Sequence, residues 1–350
     1  SPPDLQQLAS DIRRWSLELG FQQLGISRAR LDEHETHLLN WLKAGHHGEM
    51  DYMARHGTTR SRPAELVSGT VSVISVRMDY WPDQAQAADD VLRDPSLAYL
   101  SRYALGRDYH KVLRKRLQKL AERMSAVIGP FGYRAFTDSA PVLEKALAQN
   151  AGLGWIGKHT NLINERAGSW FFLGELYTDL PLPVDTPATN HCGECHACID
   201  ACPTGAIVAP YSLDARLCIS YLTIELRGPI PAHLRPLIGN HIYGCDDCQL
   251  VCPWNRFARA TGETDFQPRH ALDTSDLIRL FAWTEEEFER YTEGSAIRRI
   301  GYQCWLRNIA VALGNTPMST DVVSALSDRA NHPSGLVREH VTWALQRHVL

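Results

Sequence analysis

"CGECHACIDACP", residues 192–203, and "IYGCDDCQLVCP", residues 242–253, decide how this chain is organised. The first is C-x2-C-x2-C-x3-C-P. In such a run three close thiolates hold three corners of one 4Fe–4S cubane, and the fourth cysteine reaches a neighbouring cluster. Zinc also accepts cysteine pairs, but it saturates at four ligands. Two runs that each end in Cys-Pro are therefore read as two 4Fe–4S clusters. The second run is one cysteine short, because Ile242 stands where its first thiolate belongs. By the exchange rule Cys192, Cys195 and Cys198 are completed by Cys252, while Cys202 joins Cys245 and Cys248. Cys218, in "DARLCISYL" (214–222), is the other cysteine of this region and completes the second set. The detour "ISYLTIELRGPIPAHLRPLIGNHIYG" (219–244) then packs the second cluster against protein rather than solvent.

Outside this region, composition sets broad limits. A chain of 350 residues allows two or three domains. With 44% hydrophobic and 22% charged residues it reads as an ordinary globular protein. Eight of the nine cysteines lie between 192 and 252 with long cysteine-free flanks, which argues against a secreted disulfide scaffold. The ninth, Cys304, sits among apolar residues and is expected as a core thiol. No apolar run has the length of a membrane span, and no secretory signal opens the sequence, so no membrane association and a cytoplasmic location are expected. The net charge of −4 does not announce a nucleic-acid binder. Locally, "HKVLRKRLQKLAER" (110–123) sets Lys111, Arg114, Lys115, Arg116, Lys119 and Arg123 around apolar residues at helical spacing. It reads either as a solvated helix face or as a surface for phosphates.

Residues 4–180 alternate helical and strand-like text, which predicts an α/β or α+β domain. Helices are expected over 5–20, in the basic segment and over 142–154; strands over 21–27, 70–80 and 169–180. "DLPLPVDTPATN" (179–190) reads as a linker. Beyond the cysteines the pattern is helical, with Thr284 as a helix cap and "CWLRNIAVALGN" (304–315) and "HVTWALQRHV" (340–349) as inner helices of a short repeat array.

The stretch 136–164, "FTDSAPVLEKALAQNAGLGWIGKHTNLIN", has the densest functional look before the cysteines. Asp138, at a strand end, is either the cap of the helix that follows or a carboxyl whose pKa is raised for proton donation. Gly152, Gly154 and Gly157 spell G-x-G-x-x-G but follow a helix, so a glycine-rich turn competes with a cofactor contact. Walker A, the serine elbow and H-E-x-x-H are absent. So is D-x-H-x-x-G, the cobalt-histidine motif; "DYHKV" (108–112) begins like it and fails. His46, His47 and His56 are assigned no metal role.

Taken together, "HGEMDYMARH" (47–56), "SRYALGRDYHKVLRKRL" (101–117), "TDSAPVLEKALAQNAGLGWIGKHTNLI" (137–163), "GSWFFLGEL" (168–176), the two cysteine runs, "CISYLTIELRGPIP" (218–231) and "EGSAIRRIGYQCWLRNIAVALGN" (293–315) resemble the epoxyqueuosine reductase family over nearly the whole chain. The resemblance implies an α+β multidomain protein. Residues 1–182 would form an α/β cobalamin-binding catalytic domain, 183–262 a ferredoxin-like module with two 4Fe–4S clusters, and 263–350 α-helical HEAT-like repeats that bind tRNA. It implies base-off cobalamin without a histidine ligand and an external low-potential electron donor. The substrate would be tRNA with a GUN anticodon carrying epoxyqueuosine, and the protein a monomer. Asp138 aligns with the family's proton donor. Arg60, Tyr103, Lys158 and Ser169 would face the corrin, with Ser220, Cys245 and Asp246 bordering it from the cluster side. Glu225, Arg227 and Arg235 would lie near the modified base, and Arg298, Arg299 and Arg307 at phosphates, with surface salt bridges the competing role for each arginine. The competing functions are a reductive dehalogenase-like enzyme acting on a small molecule and a ferredoxin-type electron carrier. The first predicts no tRNA binding, the second no corrin.

Overall fold

The computed structural model describes residues 4–348. The first helix, α1 (Leu5–Glu18), begins where the Asp4 carboxylate accepts the N–H groups of Gln6 and Gln7. It ends at Gly20, whose φ of +88° suits a residue without a Cβ. Strand β1 (Gln23–Arg28) follows, then α2 (Asp32–Lys43), β2 (Ser72–Asp79), α3 (Tyr109–Ile128), β3 (Tyr133–Phe136), α4 (Glu144–Asn150) and β4 (Phe171–Thr178). The strands pair antiparallel in the order β1-β2-β4-β3.

Alternation in β2 suggests one wet face, yet every residue of β2 and β4 is buried. Both faces are covered, which explains the difference. Ile74, Val76 and Leu176 meet Leu113, Leu117, Leu120 and Met124 of α3 and Ile12 of α1. On the other face Val73, Phe136 and Tyr177 meet Ala146 and Leu147 of α4. Three layers result, with the loop from β3 to α4 carrying Asp138 at one end.

Basic helix α3 divides its charges. Arg116 pairs with Glu263 and Arg123 with Glu18, whereas Lys111 and Arg114 line the cavity that holds Asp138. The glycine-rich stretch is a packed turn: a Cβ on Gly154 would lie 2.2 Å from the Ile163 carbonyl.

The C-terminal residues form α5 (Leu277–Phe281), α6 (Glu285–Tyr291), α7 (Gly301–Gly314), α8 (Thr320–Ser327) and α9 (Gly335–Gln346). Thr284 caps α6 through a full capping box with Glu287. Cys304 is buried in the core of these helices, as its apolar setting suggests. That core also takes in Leu100, Leu105, Ile242 and Tyr243, so the helices are welded to the rest of the molecule. The weld is polar as well. Asn308 donates to the carbonyls of Thr223 at 2.8 Å and Ile242 at 2.9 Å. Arg307 donates to the carbonyls of Leu226, Gly228 and Leu222 at 2.7, 2.7 and 2.9 Å.

Two expected tRNA contacts are corrected here. Arg307 is 0% exposed and spends its donors on the 219–244 detour, so no phosphate reaches it. Arg235 is 4% exposed, bonds Ile230 O and Glu339, and lies over Trp343. Truncating Arg307 would strand three buried carbonyls. Arg307→Ala is expected to lower apoprotein stability by about 3 kcal/mol in urea denaturation, while leaving the salt dependence of tRNA binding unchanged.

Candidate active site

The eight cysteines of the module fall into two sets around two cavities. Cys192, Cys195, Cys198 and Cys252 line one of about 250 Å³, together with Trp254 and His191. Cys202, Cys218, Cys245 and Cys248 line another of about 370 Å³. These are the sets that the spacing and the exchange rule predict, including Cys218. Burial, followed by the neighbouring thiols, pushes Cys252 up to about 11 and raises Cys218, Cys245 and Cys248 as well. Thiolates gathered this closely would need a bound cation to stay deprotonated at neutral pH. Trp155 Nε1 donates to Cys192 Sγ at 3.4 Å and the Ala206 N–H to Cys202 Sγ at 3.2 Å, bonds of the kind that tune cluster potentials. Cys304 stands apart from both sets.

The second cysteine cavity continues away from the thiols. Its other wall is built from Tyr80, Tyr103, Tyr109, Phe171 and Phe172. Tyr103, Tyr109 and Ser220 also line a cavity of about 270 Å³ shared with Asp138. That space opens in turn, across Asp138, Glu225 and Arg299, into one of about 990 Å³. Trp41, Tyr52, His34, His37, His56 and Arg60 line the large cavity's far side. A slot of adjoining cavities with shared walls thus runs from the second cysteine set to an open, aromatic and cationic mouth.

Asp138 stands in the middle of this slot with φ of +53°, a left-handed conformation that aspartate tolerates better than most residues. Its Oδ2 accepts the Tyr109 hydroxyl at 2.8 Å and lies 3.1 Å from His110 Nε2. His110 Nδ1 is in turn 2.6 Å from Asp108 Oδ1. Tyr109 is fixed by stacking on Phe172, with ring centroids 3.9 Å apart. The carboxyl expected to be raised is in fact lowered. Desolvation by the surrounding cavity walls would raise it, but hydrogen bonds from His110 and Tyr109 outweigh that effect. Burial likewise opposes charge on His110, yet its bonds to Asp108 and Asp138 push it up to about 9. At neutral pH the proton therefore sits on His110, beside an Asp138 carboxylate. Below them, burial and then the Asp138 charge push Glu144 up to about 8.

The other expected residues distribute unevenly. Tyr103, Ser169, Ser220, Cys245 and Asp246 all line the second cysteine cavity. Ser169 is held by Asn255 and Gln249, and Asp246 accepts Tyr99 O–H, Ser101 Oγ–H and the Arg102 N–H. Arg60 lines the large cavity beside Asp138. Lys158 is a correction: its Nζ donates to the carbonyls of Gly193 and Cys195 at 2.6 and 2.8 Å, so it braces the first cysteine loop instead. Glu225 and Arg299 pair across the slot, whereas Arg298 pairs with Glu289 and Arg227 donates to the Ile300 carbonyl.

Residues 191–255 match the family model "4Fe-4S double cluster binding domain", and residues 60–139 match "Epoxyqueuosine reductase QueG, DUF1730". An epoxyqueuosine reductase of Pseudomonas aeruginosa is 66% identical over 350 residues, covering 99% of this chain and 96% of the relative. The chain belongs to the epoxyqueuosine reductase family. A crystal structure of an epoxyqueuosine reductase with an epoxyqueuosine-modified tRNA-Tyr stem loop superposes with a TM-score of 0.89 at 26% identity, covering 99% of this chain and 91% of that one. A Bacillus subtilis epoxyqueuosine reductase, whose aspartate-bearing catalytic loop is swung out of the active site, gives 0.87 at 26% identity with the same coverage.

Several residues of this epoxyqueuosine reductase family site escape sequence reasoning. His110 and Tyr109 belong to the failed "DYHKV" motif, whose Asp-x-His spacing was the available signal. His159 carried no signal, although it is 3% exposed and lines the second cysteine cavity. The cysteine partition gives a direct test. Cys218→Ser should reduce bound iron and sulfide by roughly half after anaerobic reconstitution, whereas Cys304→Ser should leave both unchanged.

Proposed function

We propose that this chain reduces epoxyqueuosine to queuosine at the wobble position of tRNA with a GUN anticodon, the last step of queuosine synthesis. The observation that carries this reading is the slot of adjoining cavities, with four cysteine thiols at one end, Asp138 midway and a cationic mouth at the other.

Cobalamin is the cofactor that the family implies, and the chain's own groups fit it. His159 Nε2 and Glu144 Oε2 line the slot, are buried, and find no protein partner. Groups of this kind suit a macrocycle fringed with amides. His159 Nδ1 accepts the Asn161 N–H, and burial pushes the ring down to about 4. The neutral ring therefore carries its proton on Nε2, which makes that atom a donor for the amide carbonyls that fringe the cofactor. Tyr103, Ser169, Ser220, Cys245, Asp246 and Arg60 would complete the cradle.

When bound, the clusters supply single electrons and cobalamin the low-valent metal centre that brings them to the epoxide. The net change is two electrons and two protons taken up and water released. Asp138, midway between the second cysteine cavity and the mouth, is the group that would protonate the epoxide oxygen. Tyr109 fixes the carboxylate by hydrogen bonding, and the wall of Tyr80, Tyr103 and Phe172 keeps bulk water from the reacting bonds. Lys111 and Arg114 would serve the anticodon backbone, joined by Arg298 and Arg299 if phosphates displace their partners Glu289 and Glu225, with Glu225 near the base. The three segments 1–182, 183–262 and 263–350 serve as catalytic, electron-transfer and HEAT-like tRNA-binding units of a cytoplasmic monomer fed by an external low-potential donor. Among the described residues no helix is long and apolar enough to cross a membrane.

The test is anaerobic reconstitution with iron, sulfide and cobalamin, followed by assay of epoxyqueuosine-containing tRNA with a strong reductant. Conversion should require cobalamin; conversion without it, or none with it, would overturn the proposal. Asp138→Asn should retain both clusters and cobalamin by absorbance and lose at least about 100-fold in turnover.

A further inference from the structure

The proton bookkeeping of the slot leaves one group unused. A carboxylate that is already ionised has no proton to give, so Asp138 must be loaded before it can protonate an oxygen. His110 is the group in contact with it. The imidazole is clamped from behind by Asp108 at 2.6 Å and presents Nε2 to Asp138 Oδ2 at 3.1 Å. Its position is set by helix α3, whose first turn starts at Asp108, so the donor is built on a rigid element. The ring is one-fifth exposed, enough for solvent to return a proton, while Asp138 is 44% exposed toward the cavity.

We infer that His110, held by Asp108, is a positioning and proton-loading residue that recharges Asp138 within each turnover. This rests on the functional reading above. The step moves no electrons. The Nε2–H bond of the imidazolium breaks as an O–H bond forms at Asp138, and the Asp138 carboxyl passes its proton to the alkoxide left when an epoxide C–O bond opens. Neutral His110 then takes a proton from solvent, which allows the second of the two protons to follow the same route. A His-carboxylate pair backed by a second carboxylate keeps the ring protonated at neutral pH, and this supports the assignment.

Charged and titratable groups lining the same cavities as His110 include Asp108, the cap of α3, Tyr109, Lys111 and Arg114 of α3, Asp138 and Glu144 around the loop after β3, and Tyr52, Arg60, Glu225 and Arg299 across the slot. The two carboxylates in contact outweigh the more distant arginines. Rate should therefore depend on a protonated group and fall as pH rises through about 9. Removing the Asp108 charge should move that limb down toward the ordinary imidazole value of about 6.5.

The experiment uses reconstituted, pre-reduced holoenzyme in single-turnover reactions with epoxyqueuosine-containing tRNA across pH. Wild type should hold its rate until the alkaline limb, and Asp108→Asn should shift that limb to lower pH. His110→Gln should lose the limb and about 100-fold in rate, with tRNA affinity changed less than about threefold. A second readout does not depend on turnover: a histidine-labelled NMR titration, with the His110 signal assigned by its loss in His110→Gln. It should give an elevated value in wild type and a lower one in Asp108→Asn and Asp138→Asn. Wild-type rates in His110→Gln, or an unshifted limb in Asp108→Asn while the NMR value falls, would sink the proton-loading role and leave the enzyme's function standing. Wild type that binds cobalamin but never consumes epoxyqueuosine would overturn the functional reading and this inference with it.

Discussion

Asp246 lies between Cys245 and Cys248 in the sequence and is 1% exposed. A carboxyl at that depth costs several kcal/mol unless donors replace its water. The replacement comes from one short segment: the Tyr99 and Ser101 hydroxyls and the Arg102 N–H. This clamp ties the loop of Cys245 and Cys248 to the segment that leads into Tyr103 and Tyr109. The two walls of the slot are thereby set by one interaction, reinforced by parallel pairing of His241 and Tyr243 with Tyr99 and Leu100. Shift that clamp and thiols, tyrosines and Asp138 would lose their common frame.

Around this frame the protein gathers more buried carboxyls than its charge balance suggests. Burial raises Glu144, Glu175 and Asp246, while Asp138 is lowered by the two donors it meets. Glu175, at the centre of β4, has neither oxygen bonded within the protein. Environment thus sorts chemically similar groups into proton holders and charge holders, as acid–base sites require. Sorting of this kind depends on distances across the fold, which residue type alone does not encode.

That dependence explains what could be read beforehand. Cysteine spacing carries its own geometry, because a cubane needs thiolates at fixed separations, so the grouping of eight cysteines around two cavities was legible down to Cys218. Strand and helix periodicity placed β2, β4, α1 and the C-terminal helices. The capping box at Thr284 was equally plain. Arginines were the least legible. Arg307 and Arg235 look like Arg299 in sequence, yet the first two feed buried carbonyls and the third faces the slot. Long flexible cations go wherever backbone acceptors or phosphates are found, and only tertiary context decides which. His110 and His159 were missed for a related reason: the Asp138 contact of His110 and the burial of His159 beside the second cysteine cavity come from tertiary packing that no local pattern encodes.

Ile242 returns at the end as a statement about order of assembly. Its side chain is buried with Trp305 and Ile309, and its carbonyl is held by Asn308. The strand that precedes Cys245 is therefore incomplete until chain some sixty residues further on has been made and docked. Cys252 must likewise reach back to Cys192, and Cys202 forward to Cys218. The setting of the second cysteine set is therefore completed by contacts that the carboxyl-terminal helices supply from beyond the detour.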